Sequence, residues 1–340
     1  SIHFCNFIEN TASEDGGAIW CPVPLNVENC NFVSNHSAGA GGGAYIAGDS
    51  YFNNCCFTSN ISLLYRGGAI YMADGKLVAK NCTYVDNVAP DEGGAVAVLA
   101  GEDALFDNCN FTNNGSLTVL GGAIYGDSIS PNVTNCMFKG NRASAGGAVY
   151  NCQLGSCQVI GNTAELGGGA YNSYLNTSIV SNNIATTSGG GAYGGTARSC
   201  LIVSNKAVTG GGVYDNIVEL STISDNRATA NGGGAFGGTF RSCLIVSNSA
   251  ATGGGVYLSS IDNCTISDNS ASLVAGGSYG GAATNSIIYY NEPNDWTGGI
   301  FDHCCAFPLP EGLNNSEAEP HFYWREKGNY RLAMDSTLVD

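Results

Sequence analysis

The sequence contains few charged residues and very few basic ones. Only 12% of its 340 residues are charged, and 12 lysines and arginines stand against 28 aspartates and glutamates. The formal net charge of −16 repels phosphate backbones and anionic lipid headgroups, so nucleic acid and membrane surfaces are not expected as partners. No apolar run approaches the roughly 18 residues that a membrane-spanning helix needs. We therefore expect no membrane insertion by this chain.

Helical periodicity and metal-ligand patterns are also missing. No stretch of about 12 residues places apolar side chains at spacings of three and four, so helix is expected to be a minor component. No Cys-x-x-Cys pair occurs, and the four histidines are scattered along the chain. Zinc and other cofactors are therefore not expected.

The sequence is instead built from a repeated motif. A cysteine, any residue, an apolar residue, two further residues and an asparagine recur thirteen times, with threonine or serine in place of cysteine three times. We expect the asparagine side chains to stack along the molecule and hydrogen-bond from one repeat to the next, as an asparagine ladder. The predicted ladder residues are Asn10, Asn35, Asn60, Asn87, Asn114, Asn141, Asn162, Asn182, Asn205, Asn226, Asn248, Asn269 and Asn291.

A second motif lies between these copies. A glycine pair is followed by short apolar residues and closes on an aromatic residue in eleven of twelve copies, with Ala97 as the exception. Glycine suits a sharp corner because it accepts positive φ and carries no Cβ. The closing aromatic residues are predicted to form a stack at the edge of the molecule.

The period identifies the architecture. Successive motif asparagines are 25 to 27 residues apart up to Asn141 and 20 to 23 residues apart after it. A unit of about 22 residues with short strands is one coil of a parallel β-solenoid, in which each strand lies about 4.8 Å from its counterpart in the next coil. A leucine-rich repeat would need leucines that are missing, and a propeller blade would need roughly twice the length.

The motif also predicts which side chains fill the interior. The cysteine and the apolar residue are two positions apart, so both face the same side of a strand. The change from aromatic to aliphatic residues coincides with the shorter period, so we expect wider coils to about residue 141 and narrower ones after it. The predicted interior column is Phe7, Phe32, Phe57, Tyr84, Phe111, Phe138, Val159, Ile179, Ile202, Ile223, Ile245, Ile266 and Ile288.

Ten of the fifteen cysteines occupy the motif position. Stacked in register, their Cβ atoms would lie near 4.8 Å apart, whereas a disulfide needs about 3.8 Å, so these ten are expected to be buried free thiols. The other five are better candidates for disulfides: Cys21, Cys56, Cys152, Cys304 and Cys305.

The literal motifs resemble a known family. GGAI begins at Gly16, Gly67 and Gly121 and alternates with FxxN, as in the passenger repeats of chlamydial polymorphic membrane proteins. This resemblance implies an all-β, right-handed parallel β-helix of about 13 coils over residues 1–291, with a C-terminal cap or tail over residues 292–340. It also implies a secreted or outer-surface protein. The segment from Glu319 is similar to the closing segments of such helices.

Catalysis is the main alternative, because pectate lyases and polygalacturonases share this fold. Their chemistry needs clustered acids with a basic residue on one face. The acidic pairs here flank glycine corners and are interpreted as solvated loop charges, and the adjacent Asp302, His303 and Cys304 are weak evidence for a nucleophilic set. We therefore predict no catalytic, cofactor-binding or metal-binding residues. A polysaccharide-degrading enzyme remains the alternative, as does a carbohydrate-binding module based on Tyr289, Tyr290, Trp296, Tyr323 and Trp324.

The expected function is that of an extracellular structural or adhesive surface protein. The predicted first coil has no amphipathic cap, so self-association through the open amino-terminal end, head to tail into a filament, is expected. A glycan or a host or neighbouring cell surface is the other expected partner. Nine Asn-x-Ser/Thr sequons occur, and three are candidates for glycosylation because their side chains should point outward: Asn81, Asn110 and Asn263.

Overall fold

The computed structural model describes residues 1–338. Residues 339 and 340 lie outside the described part, and with them Asp340 of the predicted closing segment. The described chain forms a parallel β-solenoid of fourteen coils, and its helical content is a 3-10 helix at Arg325–Lys327. The predicted all-β solenoid is confirmed, with one coil more than the thirteen expected.

The largest sheet has 25 strands and receives two strands from most coils. In two coils the pair merges into one strand of seven residues. The strands that follow the glycine pairs are Ile19–Cys21, Ala44–Ile46, Ile70–Met72, Val96–Val98, Ile124–Gly126, Val149–Tyr150, Ala170–Asn176, Ala192–Arg198, Val213–Tyr214, Ala235–Phe236, Val256–Tyr257 and Ser278–Tyr279. Trp296–Thr297 takes the same place in the last coil without a glycine pair before it. The strands that precede the cysteine position are Ile2–His3, Leu25–Glu28, Ser50–Asn53, Lys76–Lys80, Asp103–Asp107, Asn132–Thr134, Gln153–Gly155, Ile217–Glu219, Thr239–Arg241, Ser260–Asp262, Ala282–Thr284 and Ile300–Asp302.

The second sheet, here called the cysteine face, follows the cysteine position and has one strand in each of the fourteen coils. All its pairings are parallel and in register, as between Phe57 and Tyr84. Its strands are Asn6–Ile8, Asn31–Val33, Cys56–Thr58, Thr83–Val85, Asn110–Thr112, Met137–Lys139, Gln158–Ile160, Ile179–Ser181, Leu201–Val203, Thr222–Ser224, Leu244–Val246, Thr265–Ser267, Ile287–Tyr289 and Cys305–Ala306.

The third side follows the ladder asparagines and is divided into two shorter parallel sheets. Isolated bridges connect the coils between them, as from Ile61 to Val88 and from Arg142 to Thr163. The three-stranded sheet contains Thr11–Ala12, His36–Ser37 and Ile61–Ser62. The six-stranded sheet contains Thr163–Leu166, Ile184–Ser188, Lys206–Thr209, Arg227–Asn231, Ser249–Thr252 and Ser270–Val274.

The core is a stack of like side chains. Phe111 pairs in register with Tyr84 and Phe138 and is fully buried, as are Ile202 and Ile266. In the first six coils the interior rings lie nearly face to face, with centroids 4.5–5.1 Å apart. Burying each such ring contributes about 1.5–3 kcal/mol, so the column is a main source of stability.

The corners between strands depend on positive φ angles. The residue before a ladder asparagine lies in the left-handed region, as Ser34 (φ 54) and Asp268 (φ 56) do. The first glycine of a pair behaves in the same way, and the second lies against the next coil: a Cβ on Gly17 would overlap the carbonyl oxygen of Gly42. This close approach explains why the glycines occur in pairs.

The carboxyl-terminal end of the solenoid is covered. The backbone N–H of Cys304 donates to Oδ1 of Asn315 (2.9 Å), and Ser316 N–H donates to the carbonyl oxygen of Cys304 (2.8 Å). An antiparallel pair of strands, Phe322–Trp324 and Asn329–Leu332, follows. Arg325 and Tyr330 both bind the carboxylate of Asp268, at 2.6 and 2.8 Å, which holds this pair against the twelfth coil. The predicted C-terminal capping segment is confirmed.

The solenoid extends beyond the predicted boundary at residue 291. Trp296–Thr297, Ile300–Asp302 and Cys305–Ala306 form a fourteenth coil with parallel pairings to the thirteenth. This coil carries Thr297 at the aromatic position and Ala306 at the interior position, so neither motif marks it in the sequence. The predicted change of coil width at about residue 141 stays a prediction.

The motif assignment in the eighth coil is wrong by one residue. Val180, not Ile179, pairs with Val159 in the interior column, and Ile179 is 40% exposed. Asn183, not Asn182, is the buried ladder residue. Asn182 has a φ of 56 and occupies the preceding corner, where asparagine tolerates the left-handed conformation.

Candidate functional site

The asparagine ladder is a buried hydrogen-bond network that runs the length of the solenoid. At Asn87, the backbone N–H and the Nδ2 group both donate to Oδ1 of Asn114, at 3.0 Å each. The second Nδ2 hydrogen donates inward, as from Asn114 to the carbonyl oxygen of Tyr84 at 2.9 Å. Every polar atom of such a residue is used within the solenoid, so these asparagines stabilise the fold and do not form a binding surface.

The two ends of the ladder differ. At the carboxyl-terminal end, Asp295 accepts from both the backbone N–H and Nδ2 of Asn291, at 2.8 and 3.0 Å. Its second oxygen accepts from the N–H of Phe307 at 3.3 Å. Burial raises the pKa of Asp295, and the bonds from Asn291 oppose that shift. At the other end Asn10 donates to Asn35 and is itself exposed.

The acidic pairs lie at corners beside glycine residues. Among residues 1–338, no group of three histidine, cysteine or acidic side chains is arranged to hold a metal ion. Glu92 is not a solvated loop charge, because it is only 8% exposed and its carboxylate contacts Nε of Arg66. Burial raises the pKa of Glu92, and Arg66 acts in the opposite direction.

The adjacent Asp302, His303 and Cys304 are separated by the fold. His303 Nδ1 lies 3.0 Å from Oδ1 of Asp302 on the exposed corner. Cys304 is 2% exposed, and its thiol donates inward to the carbonyl oxygen of Asp302. The structure thus places the thiol at the interior cysteine position and the imidazole outside, where they cannot act as a nucleophile–base pair.

The closing aromatic residues form an aromatic column along one edge. From Tyr150 to Tyr279, successive rings are stacked with centroids 4.8–5.0 Å apart and planes within 18° of parallel. Ring faces are therefore covered by neighbouring rings, and the edges face outward. The members are Trp20, Tyr45, Tyr71, Tyr125, Tyr150, Tyr171, Tyr193, Tyr214, Phe236, Tyr257 and Tyr279.

Ala97 interrupts this column in the fifth coil. The rings on both sides are tilted, by 37° between Tyr45 and Tyr71 and by 33° between Tyr125 and Tyr150. Tyr125 and Ala97 are both buried, at 7% and 1% exposure. The missing ring thus changes the surface locally, and a cleft lies beside it.

The cleft has a volume of about 400 Å³ and spans the first four coils. Its lining combines phenol rings, two carboxylates and one guanidinium: Asp15, Ala40, Tyr45, Tyr65, Arg66, Tyr71 and Asp91. Sequence reasoning did not identify Ala40, Tyr65 or Arg66. The available signal was their position, since Ala40 and Arg66 both directly precede a glycine pair whose aromatic residue borders the cleft.

The aromatic residues near the C-terminal tail, considered above for carbohydrate binding, mainly make packing contacts with the tail. Tyr290 lies under the Arg325 guanidinium at 3.9 Å and donates to Glu319 at 2.7 Å. Trp296 donates to the carbonyl oxygen of Pro308 at 2.8 Å. Tyr323 and Trp324 are exposed. These residues do not continue the aromatic column, which ends at Tyr279.

The three glycosylation candidates lie on the surface. Asn81 is exposed at a corner, where its Nδ2 donates to Asn53 at 3.0 Å. Asn263 is exposed at the equivalent corner and donates to Ser242 at 3.1 Å, and Asn110 is exposed on the cysteine face. Modification at any of the three stays a prediction.

All fifteen cysteines are free thiols. The disulfide candidates Cys21, Cys56, Cys152, Cys304 and Cys305 are among them, so they are not paired. Cys304 belongs to the interior column of the cysteine motif, where it follows Ser286. Two sequence interpretations are therefore corrected: the five candidates are unpaired, and Cys304 occupies the cysteine position of the fourteenth coil.

Two family models match this chain. The right handed beta helix region matches residues 15–185, and the Chlamydia polymorphic membrane protein repeat matches residues 4–22. No curated protein is significantly similar to the chain. The repeat indicates an outer-surface protein, and within residues 1–338 no helix has the length and apolar character to cross a membrane. The first model covers just over half of the chain, which therefore belongs to the right-handed β-helix family.

Proposed function

We propose that this chain is an adhesive passenger displayed on the outer cell surface, in which a rigid rod presents a side surface to another cell or to a glycan. The observation that carries the proposal is the match to a surface-protein repeat on a solenoid whose repeated motifs form the contacts between stacked coils. Adhesion needs only an ordered outer surface, and a parallel solenoid orders that surface coil by coil.

Attachment of cells tests this proposal. The purified chain is coated on a surface or on beads, and cell attachment is measured with and without soluble chain as competitor. Attachment that the soluble chain inhibits is the expected result, and a heat-unfolded sample serves as the control. Attachment no greater than that of the unfolded sample would reject an adhesive role.

Adhesion is preferred to catalysis because the acids and the basic residue that meet in the cleft neutralise one another. Arg66 is the basic residue of the cleft, and it is paired with Glu92 and Asp91. Incubation with pectin-like polysaccharides should therefore release no reducing ends. Release that depends on the folded chain would instead favour the enzymatic alternative.

Self-association is a second part of the proposal. In the first coil, Phe4 and Ile8 are 80% and 55% exposed and offer apolar contacts to a second copy. Because residues 307–318 cover the last coil, head-to-tail stacking would use the outer surface of that cap as the opposite contact. Light scattering should show a mass that rises with concentration, and Phe4→Asp should reduce it; a constant monomer mass would contradict this part.

A further inference from the structure

The cleft beside the aromatic column is lined by residues from several coils that combine carboxylates, phenols and a guanidinium. Asp15, Ala40 and Arg66 each precede a glycine pair, so they lie above one another in three successive coils, as the hydrogen bonds from Gly16 to Ala40 and from Gly41 to Arg66 require. The small Ala40 side chain leaves a depression between the acid and the guanidinium. The backbones at Asp15 and Arg66 are two coil spacings apart, a distance of about 10 Å.

The cleft walls offer both donors and acceptors. Burial raises the pKa of the Tyr45 and Tyr71 hydroxyls, so both phenols are protonated at neutral pH and can donate and accept hydrogen bonds. Asp15 is held in place because its Oδ1 accepts from the N–H of Ala40 at 2.7 Å. Tyr65 is 58% exposed and forms the outer rim of the cleft.

The electrostatics of the cleft disfavour anions. The Arg66 guanidinium contacts Glu92 and lies 3.7 Å from Asp91, so its charge is already compensated. Asp15 adds a further negative charge, and the whole chain carries −16. A carboxylate or sulfate group would therefore be repelled, whereas hydroxyl groups could bind the phenols and carboxylates without a charge penalty.

The geometry of the rings also limits the ligand. One face of Tyr45 is stacked on Trp20, and the tilted ring of Tyr71 covers the other, at centroid distances of 6.2 and 5.3 Å. A ligand therefore meets the ring edge and hydroxyl of Tyr45 and not its faces. A volume of about 400 Å³ lies within the usual range of small-molecule sites, about 300–1,000 Å³.

We propose that this cleft is a glycan-binding site that takes one or two rings of a neutral, polyhydroxylated saccharide. The inference rests on the proposed adhesive function and names the chemistry of its ligand. Tyr65, Tyr71 and Asp15 are the binding residues, and Arg66 is a positioning residue held by the carboxylates behind it.

A glycan array tests the proposal with the folded chain. The probes are immobilised neutral, sialylated and sulfated oligosaccharides, and affinities for any bound glycan are then measured by calorimetry. The expected ligands are neutral glycans. Tyr71→Phe removes one hydroxyl but keeps the stacked ring, and Tyr65→Ala removes an exposed ring; each should weaken binding about tenfold, as the loss of a hydrogen-bonding group does.

The matched controls lie on the same molecule. Tyr214→Phe makes the same change in the aromatic column six coils away, and Tyr174→Ala removes another exposed ring. Both should bind glycan as the unchanged chain does, and all four variants should keep the same melting temperature. The proposal is overturned if no glycan binds, if only anionic glycans bind, or if the cleft variants behave like the controls. If cells still attach to the cleft variants, adhesion stands and only the glycan site fails; if cells never attach, the adhesive function fails instead.

Discussion

Tyr84 is the one tyrosine in an interior column otherwise made of phenylalanine over the first six coils. Its ring is sandwiched between Phe57 and Phe111, at centroid distances of 5.1 and 4.5 Å. Its hydroxyl is fully buried and has no hydrogen-bond partner. An unsatisfied buried hydroxyl is a cost to the fold, because water can no longer bind it.

Tyr84→Phe is therefore expected to stabilise the protein by about 1 kcal/mol, since it removes the unsatisfied hydroxyl and keeps the ring. The free energy of unfolding from denaturant titration is the measurement. Phe111→Tyr is the matched control and should destabilise, because it adds a second buried hydroxyl to the same column. A less stable Tyr84→Phe variant would mean that the hydroxyl has a partner.

Asn183 and Asn182 are adjacent in sequence but have opposite roles. Asn183 accepts two hydrogen bonds from Asn162, at 2.9 and 3.0 Å, and is fully buried. Asn183→Ala leaves both donors without an acceptor and should cost about 3 kcal/mol of unfolding free energy. Asn182→Gly keeps the left-handed corner and should change stability by less than about 1 kcal/mol. Equal effects of the two substitutions in a urea titration would contradict the corrected ladder.

The spacing of the motifs is compatible with this correction. With Asn183 in place of Asn182, the spacings to Asn162 and Asn205 become 21 and 22 residues, which match the neighbouring coils. Ser178 then occupies the cysteine position of this coil, as Ser221 and Ser286 do in two other coils. Both frames satisfy the motif locally, and only stacking on Val159 selects one of them.

At the scale of the element, each coil depends on its glycine corner. Gly147 lies against the next coil, where a methyl group would overlap the carbonyl oxygen of Gly168. Gly155 lies on a strand of the same molecule, and an added Cβ there would meet only Cγ2 of Thr134 at 3.6 Å, an ordinary contact.

Gly147→Ala should therefore destabilise the chain by about 1–3 kcal/mol, because the two coils must separate locally. Gly155→Ala is the control and should be neutral or slightly stabilising, since alanine reduces the freedom of the unfolded chain. Melting temperatures of the two variants give the comparison. If both substitutions are tolerated equally, close coil contact is not the reason for the paired glycines.

At the scale of the whole molecule, the solenoid separates an interior set of thiols from a surface set. Twelve of the fifteen cysteines are buried, whereas Cys5 and Cys56 are exposed and Cys21 is partly exposed. Burial raises the pKa of thiols such as Cys152 and Cys200, which keeps them protonated and unreactive.

Thiol alkylation followed by mass spectrometry checks this arrangement. The folded chain should react rapidly at Cys5, Cys21 and Cys56, and all fifteen thiols should react after unfolding in denaturant without reductant. Fewer than fifteen modified cysteines in the unfolded sample would reveal disulfides. Rapid reaction of Cys109 or Cys243 in the folded chain would contradict the burial of the cysteine column.

The sequence by itself determined that the chain folds as stacked coils of a parallel solenoid. Its spaced asparagines, glycine pairs and apolar positions specify a parallel solenoid, because a period of about 22 residues with side chains alternating on short strands has few other packed solutions. Family membership followed from the same residues.

Only the tertiary structure decided which residues from different coils meet. Asp15, Ala40 and Arg66 are separated by 25 and 26 residues along the chain and differ in side-chain chemistry, and stacking of the coils places them in one cleft. It also decided the frame of the eighth coil, the extra coil after residue 291 and the position of Cys304 inside. These features depend on which coil lies above which and on what covers the last one, and such long-range contacts leave no local pattern in the sequence.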